Sequence, residues 1–502
     1  MKIDLLGDYF EGSFHLAKLE DSKFLITKTS PANITDQLYQ CTTSVDHITA
    51  VIDSAVLGFK IWKKTSYEDR ISYLRKYQEL VVVNKEKIAK MISIETGKPY
   101  WESMEEVSGV IAKVDVTVKE SFFRIQSKEF NDILPSTNGE LLFKPLGPSL
   151  IIGPFNFPCH LANTQILSAL LAGNSIIFKP SEKTVASAQL LIECFHQAGF
   201  PKGVINFING AGDLTSRMIK EKDIKAIYFT GSKEVGVKIL SQTYMDVDKL
   251  VALEMGGKNT TIIHHDANKF HSISELIKSC YMTSGQRCVA TTKVAIHQKV
   301  AEEFIALFHE TAKRLVIDHP LDFENEPFMG PLIDQRSLDN YLNYMGMAIR
   351  EGGEEIMRGK RIEKKYSGYY VTPSIHLFKK ADSKSVFLNS EIFGPSCSFY
   401  IYKEIDEAIN FANMGEYGLA ASLFSNDRSL FKKCQQDIEV GVFNFNRSTA
   451  GASAKLPFGG VKGSGNHRPA AVSMIDSCVY PMSSLEVTAT NKTKIEIPIG
   501  LI

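Results

Sequence analysis

The sequence predicts an α/β protein of two lobes with a projecting arm, and three observations carry that expectation. From Ser149 onward, short apolar runs alternate with helical stretches, the pattern of a parallel sheet covered on both faces and of a nucleotide-binding class of architecture. At 502 residues the chain is longer than one ordinary hydrophobic core, so more than one domain is expected. Between Phe130 and Lys144, Asn, Pro, Ser and Gly separate short apolar pieces, which suits a hairpin or arm leaving the main body.

Taken in order, Thr43 to about Val83 shows helical periodicity, with Ile48, Ile52, Ala55, Val56 and Phe59 on one face and Ile71, Leu74, Tyr77, Leu80 and Val81 on the next. Gly97 and Pro99 stop a helix, and another is expected from Tyr100 to Phe123. The alternating region then reads as strand Ser149–Ile152, helix Ile166–Ala172, strand Ser175–Phe178, helix Ala186–Ala198, strand Val204–Ile208 and strand Ala226–Phe229. A second series follows: helix Phe270–Thr283, strand Thr292–Ile296, helices Ala301–Val316 and Asp334–Gly352, and strands around Phe399 and Val442.

Composition narrows the function classes. The chain is 44% hydrophobic and 23% charged, with 57 basic and 57 acidic residues, a balance that gives no electrostatic case for nucleic acid or an anionic membrane. No apolar run reaches the ~18 residues of a membrane span. Met1 to Asp8 lacks a basic region followed by an apolar run, so no secretory signal is expected. The cysteines at 41, 159, 194, 280, 288, 397, 434 and 478 form no CxxC pair and no Cys/His metal spacing, which points to reduced thiols in a cytoplasm and to no metal site.

Several local patterns carry chemistry. Gly285-Gln286-Arg287-Cys288 presents a thiol on a glycine-led turn, and Glu254-Met255-Gly256-Gly257 presents a carboxylate at the end of an apolar strand. A cysteine with a separate carboxylate base can form a covalent thio-adduct of a carbonyl and hydrolyse it with activated water; a cysteine in apolar surroundings can equally be an inert core residue. Asn156, alone among Phe and Pro in Gly153–Pro158, is a turn former or a placed donor for an oxyanion. Thr230-Gly231-Ser232-Lys233-Glu234-Val235-Gly236 joins a strand to a helix and suits a phosphate at a helix N-terminus, although an ordinary turn has the same composition. Lys179, Ser181 and Glu182 follow the second strand of the sheet, where parallel sheets bind ligands. An acid there accepts bonds from ribose hydroxyls and repels a 2′-phosphate, favouring NAD over NADP; a solvated surface pair is the alternative.

Taken together and in order, FNFP, KPSE, FTGS, EMGG, GQRC, EIFGP and PFGG resemble the aldehyde dehydrogenase superfamily over essentially the whole chain. The resemblance implies a Rossmann-like cofactor domain (1–124 and 145–256, with a return segment about 457–471), an α/β catalytic domain (257–456), and a β oligomerisation arm with a C-terminal segment (125–144 and 472–502). It implies a homodimer or homotetramer that oxidises a small-molecule aldehyde to a carboxylate with NAD(P). Matched residue by residue, Cys288 is the nucleophile, Asn156 the oxyanion donor and Glu254 the base. Lys179 and Glu182 fall at the adenine ribose, Ser232 at the pyrophosphate, and Glu391 and Phe393 at the nicotinamide ribose.

Gly465–Pro469, Tyr480–Glu486 and Trp101-Glu102 resemble the branch of that family acting on N-succinylglutamate 5-semialdehyde in arginine catabolism. Such a substrate carries several carboxylates, so Arg447, Arg468 and Arg124 are candidate clamps, with surface salt bridges as the alternative for each. Ser13–Cys41 fits the family pattern poorly, which leaves its structure open, and Cys159 and Lys258-Asn259-Thr260 depart from that branch. A different acidic semialdehyde, such as that of glutamate or succinate, and a non-catalytic protein of this fold remain as other readings.

Overall fold

The computed structural model describes residues 3–17, 25–487 and 498–501. The expectations for residues 1–2, 18–24, 488–497 and 502 lie outside the described residues.

Two seven-stranded sheets form the body. In the first, strands Leu250–Glu254, Ala226–Thr230, Ser149–Ile152, Ile176–Lys179 and Ile205–Phe207 lie side by side and parallel, and antiparallel Asp8–Phe10 and Ser13–His15 complete one edge. The chain builds outward from Ser149–Ile152 in one direction, then returns to add Ala226–Thr230 on its other side. That reversal opens a crevice at the strand carboxyl ends, between Gly153–Asn156 and Gly231–Ser232. These strands are buried on both faces, which is why they read as continuous apolar runs.

The second sheet runs Gly353–Met357, Ser374–Phe378, Ser396–Tyr402, Thr291–His297, Asn259–Ile263, Ala420–Phe424 and Val442–Phe445, all parallel except the first. Lys128–Leu134, Thr137–Pro145 and Val479–Val487 make a separate three-stranded antiparallel sheet, with Lys128–Leu134 exposed throughout.

Helix ends follow local chemistry. Ser44 and Ser66 cap the Val45–Trp62 and Tyr67–Val83 helices by accepting from the amides of His47 and Asp69. Gly97, left-handed, closes Lys85–Thr96. The helix expected from Tyr100 to Phe123 is regular only to Val116, then widens over Thr117–Ser121 and tightens over Phe122–Ile125. At that boundary the Thr117 hydroxyl donates to the Lys113 carbonyl at 2.9 Å, a side-chain bond that competes with the regular backbone ladder. The Ser13–Cys41 stretch, whose structure the sequence left open, contains the Ser13–His15 edge strand and an antiparallel Ile26–Ser30/Asn33–Cys41 pair whose polar content hides its period.

Candidate active site

Cys288 sits just past a sharp turn at the start of the Thr291–His297 strand. Thr283, Ser284 and Gly285 all have positive φ, at 56°, 54° and 69°. Such a run is strained for Thr and Ser and holds only where the surroundings over-determine it. Here Glu102 accepts from the Thr283 amide at 3.0 Å and from its hydroxyl, while Ser284 Oγ donates to the Gly330 carbonyl at 2.8 Å. At Gly285 a Cβ would collide with the Gly394 carbonyl, so the EIFGP loop and the cysteine turn are packed backbone to backbone. Asn156 is buried and donates Nδ2 to the Gln286 carbonyl at 2.9 Å, which ties its amide to the cysteine turn.

Glu254 ends the Leu250–Glu254 strand and is 2% exposed. Neither carboxylate oxygen has a hydrogen-bond partner among the described residues, and burial pushes its pKa up to about 8. Burial pushes the Cys288 thiol up to about 12, with the carboxylates of Glu254 and Glu391 adding to the rise. Arg287 opposes this only weakly. Its guanidinium is turned to Glu102 (Nη2–Oε1 2.5 Å) and to Thr283 Oγ1 (2.8 Å), and lies 5.1 Å from the Phe157 ring centre. The resting cysteine is therefore a protonated thiol.

Cys288 and Glu254 open into one cleft of about 780 Å³, together with Asn156, Glu391 and Phe393. Its far wall holds Lys179, Ser181 and Glu182, with Gly231 and Ser232 between. Lys179 is buried and donates to the carbonyls of Pro180 and Gly210, each at 2.8 Å. Ser181 Oγ accepts from the Lys183 amide at 3.3 Å. Ser232 caps the Lys233–Thr243 helix, giving that wall a partial positive charge. Gly236 lets this helix lie on the neighbouring strand, since a Cβ there would collide with the Met255 sulfur. At the other end Glu391 lies against Gly256, where a Cβ would occupy its carboxylate, and accepts from the Gly257 amide at 3.1 Å. Burial pushes Glu391 up to about 7. Phe393 is left-handed (φ 54°) and meets Phe155 edge to face at 5.8 Å. A long cleft with a helix N-terminus at its middle and carboxylates near both ends fits an extended dinucleotide.

A model of the aldehyde dehydrogenase family matches residues 19–482. The chain belongs to the aldehyde dehydrogenase family. An N-succinylglutamate 5-semialdehyde dehydrogenase of Legionella pneumophila (strain Corby) is 37% identical over 482 residues, covering 96% of this chain and 94% of the relative. The enzyme of that name from Novosphingobium aromaticivorans is 34% identical over 458 residues, 91% of this chain and 95% of its own. Among solved structures, 1-pyrroline-5-carboxylate dehydrogenase from Thermus with bound NAD is similar with TM-score 0.88 at 26% identity, covering 96% of this chain and 92% of that one.

Within this family member the expected clamps take different positions. Arg124 makes a two-pronged pair with Asp476 on the surface (Nε–Oδ1 2.8 Å, Nη2–Oδ2 2.5 Å). Its guanidinium is already committed to a carboxylate, and this corrects the expectation of a free substrate clamp. Arg447 and Arg468 are exposed and do not line the cleft, but their loops abut the chemistry. Thr449 donates to the Val289 carbonyl at 2.7 Å, next to Cys288. Asn466 accepts from the Leu253 amide at 2.7 Å, next to Glu254.

Sequence reasoning missed the scaffold under these groups. Lys98 and Glu106 form an ion pair of 2.6 Å with both side chains fully buried. Glu106 Oε1 accepts from the amides of Cys159 and His160 at 3.0 and 3.1 Å, capping the helix that follows the Asn156 loop. The Tyr100–Val116 helix therefore holds both the amide loop, through Glu106, and the cysteine turn, through Glu102. Trp101-Glu102 was the available signal, legible as a resemblance but not as a contact. Cys159 is a buried free thiol whose pKa burial drives well up. Among the described residues no helix is long and apolar enough to cross a membrane.

Proposed function

We propose that this enzyme oxidises N-succinylglutamate 5-semialdehyde to N-succinylglutamate with NAD, in arginine catabolism. The observation that carries the chemistry is one cleft holding a thiol, an unpaired buried carboxylate and a side-chain amide tied to the cysteine turn. The substrate reading draws on the relatives' names and on their near-complete coverage.

In this reading Cys288 gives its proton to solvent and the thiolate Sγ bonds to the aldehyde carbon, while the unpaired Glu254 carboxyl is kept for the hydrolytic step. Asn156 Nδ2 and the Cys288 amide hold the oxyanion, a pair of donors of which each is worth ~3 kcal/mol in the transition state. NAD supplies the hydride acceptor when bound. Loss of hydride from the tetrahedral carbon leaves a thioester on Cys288. Glu254 then takes a proton from the water that attacks this thioester, and the carboxylate product and the thiol are released. Lys179, Ser181 and Glu182 would hold the adenine ribose, Gly231, Ser232 and Gly236 the pyrophosphate, and Glu391 with Phe393 the nicotinamide ribose. Glu182→Gln should raise NADP turnover relative to NAD, and an unchanged ratio would assign selectivity to another residue.

Arg447 and Arg468, in loops beside Cys288 and Glu254, are the proposed partners of the substrate carboxylates. NADH formation from the succinylated aldehyde and from free glutamate semialdehyde at matched concentrations tests the assignment. Strong preference for the succinylated substrate, weakened by Arg447→Met and by Arg468→Met through KM more than kcat, is the expected result. Equal or reversed rates would withdraw the substrate while leaving the chemistry. We also infer a cytoplasmic homodimer or homotetramer joined through the arm, supported by the uncovered Lys128–Leu134 edge strand with exposed Phe130, Ile133 and Leu134.

A further inference from the structure

The Asn259–Ile263 strand begins at the catalytic centre, where Asn259 Nδ2 donates to the Cys288 carbonyl at 2.8 Å. Five residues later, ~17 Å away at strand rise, the chain turns through His264-His265-Asp266. The neighbouring parallel strand is paired Ile263 to Ile296, which brings His297 beside His264. Three imidazole rings meet there, with centres 4.3 Å apart for His264 and His265, 5.2 Å for His264 and His297, and 4.9 Å for His265 and His297.

We propose that His264, His265 and Asp266 bind a divalent transition-metal ion of the zinc class, at a site separate from the catalytic cleft. One ligand atom from each of the three lies within 4.8 Å of the others. Ligands ~2.0–2.1 Å from a tetrahedral ion stand ~3.4 Å apart, so side-chain rotations of about an ångström complete the geometry. Two nitrogens and a carboxylate oxygen suit zinc, cobalt or nickel better than calcium or magnesium.

The surroundings prepare these atoms for a cation. The Tyr402 hydroxyl lies 2.9 Å from His264 Nδ1 and 3.5 Å from the Ile263 carbonyl. A ligating His264 would give Nδ1–H to that hydroxyl and leave the Nε2 lone pair for the ion, the arrangement by which outer partners orient a ligating imidazole. Asp266 is held by Ser425 Oγ at 2.9 Å and the Asn426 amide at 2.9 Å, yet among the described residues no lysine or arginine pairs with it. His297 plays another part. Its Nδ1 accepts from the Lys299 amide at 3.2 Å, which leaves a proton on Nε2 and makes it a wall of the site. His265 is exposed, giving the ion a path in and a coordination position for water. An ion here would tie the end of the Asn259–Ile263 strand to the turn after Ala420–Phe424.

The test is zinc titration of the chelator-stripped full-length protein in competition with a chromophoric chelator. Expected is one zinc per chain in the wild type and in Cys288→Ser, with affinity about tenfold or more weaker in His265→Ala and in Asp266→Asn. His265 is exposed, so its truncation keeps the fold, and the metal-free melting temperature of each variant checks this. Unchanged affinity in both variants would overturn the proposal. So would loss of the bound zinc in Cys288→Ser, which would assign the ion to the catalytic thiol.

Discussion

Replacing Cys288 by Ala should remove aldehyde oxidation by at least ~10⁴-fold while NAD affinity, read by calorimetry, stays within about twofold, because deletion of a nucleophile leaves binding groups in place. The thiol shares its cleft with Glu391 and Phe393 but makes none of the bonds that hold the cofactor walls, and its own turn is fixed from outside by Glu102 and Gly330. Residual oxidation above a few per cent would remove Cys288 as the nucleophile. Loss of NAD binding would mean instead that the turn had collapsed.

Replacing Glu254 by Gln should block turnover in a different way. If Glu254 activates the hydrolytic water, the variant accumulates thioester: a rapid burst of NADH approaching one per active chain, then a steady rate lower by ~10²–10⁴-fold. Stopped-flow absorbance separates the two phases, and an undiminished steady rate would sink the assignment. The pH dependence has a definite sign. A carboxyl raised to about 8 is protonated below that pH and is a base only above it, so wild-type kcat should climb through about pH 8 and the variant should lack that limb. Stability runs the other way. The folded protein keeps a proton that the unfolded chain gives up near 4.5, so the stabilisation from neutral Glu254 is whole below 4.5 and is lost as pH rises through about 8. Above pH 8, Glu254→Gln should therefore be more stable than the wild type by on the order of a few kcal/mol, measured by denaturant unfolding.

The Glu254 result would also show why some groups were legible in the sequence and others were not. Cys288, Glu254 and Asn156 each lie in a short segment whose glycines, prolines and aromatics mark a turn at a strand end, so type and neighbours announce them. Glu102 carries only a resemblance in the sequence, and its role depends on a partner 185 positions away in Arg287. Arg124 has the right chemistry for a clamp, and only the approach of Asp476 from 352 positions away removes it from that role.

By itself the sequence determined the chemistry and the class of fold. Apolar runs long enough for strands, interleaved with helical periods, leave a buried parallel sheet as the compact solution, and the motifs fall at its strand ends because those are where the chain must turn. Tertiary structure alone decided which charges are paired and which proton states result. Lys98 and Glu254 are both buried, but Glu106 meets Lys98 while no hydrogen-bond partner among the described residues meets the Glu254 carboxylate, so the first is a strut and the second a raised acid. Desolvation and pairing depend on distances in space, and local sequence does not encode them.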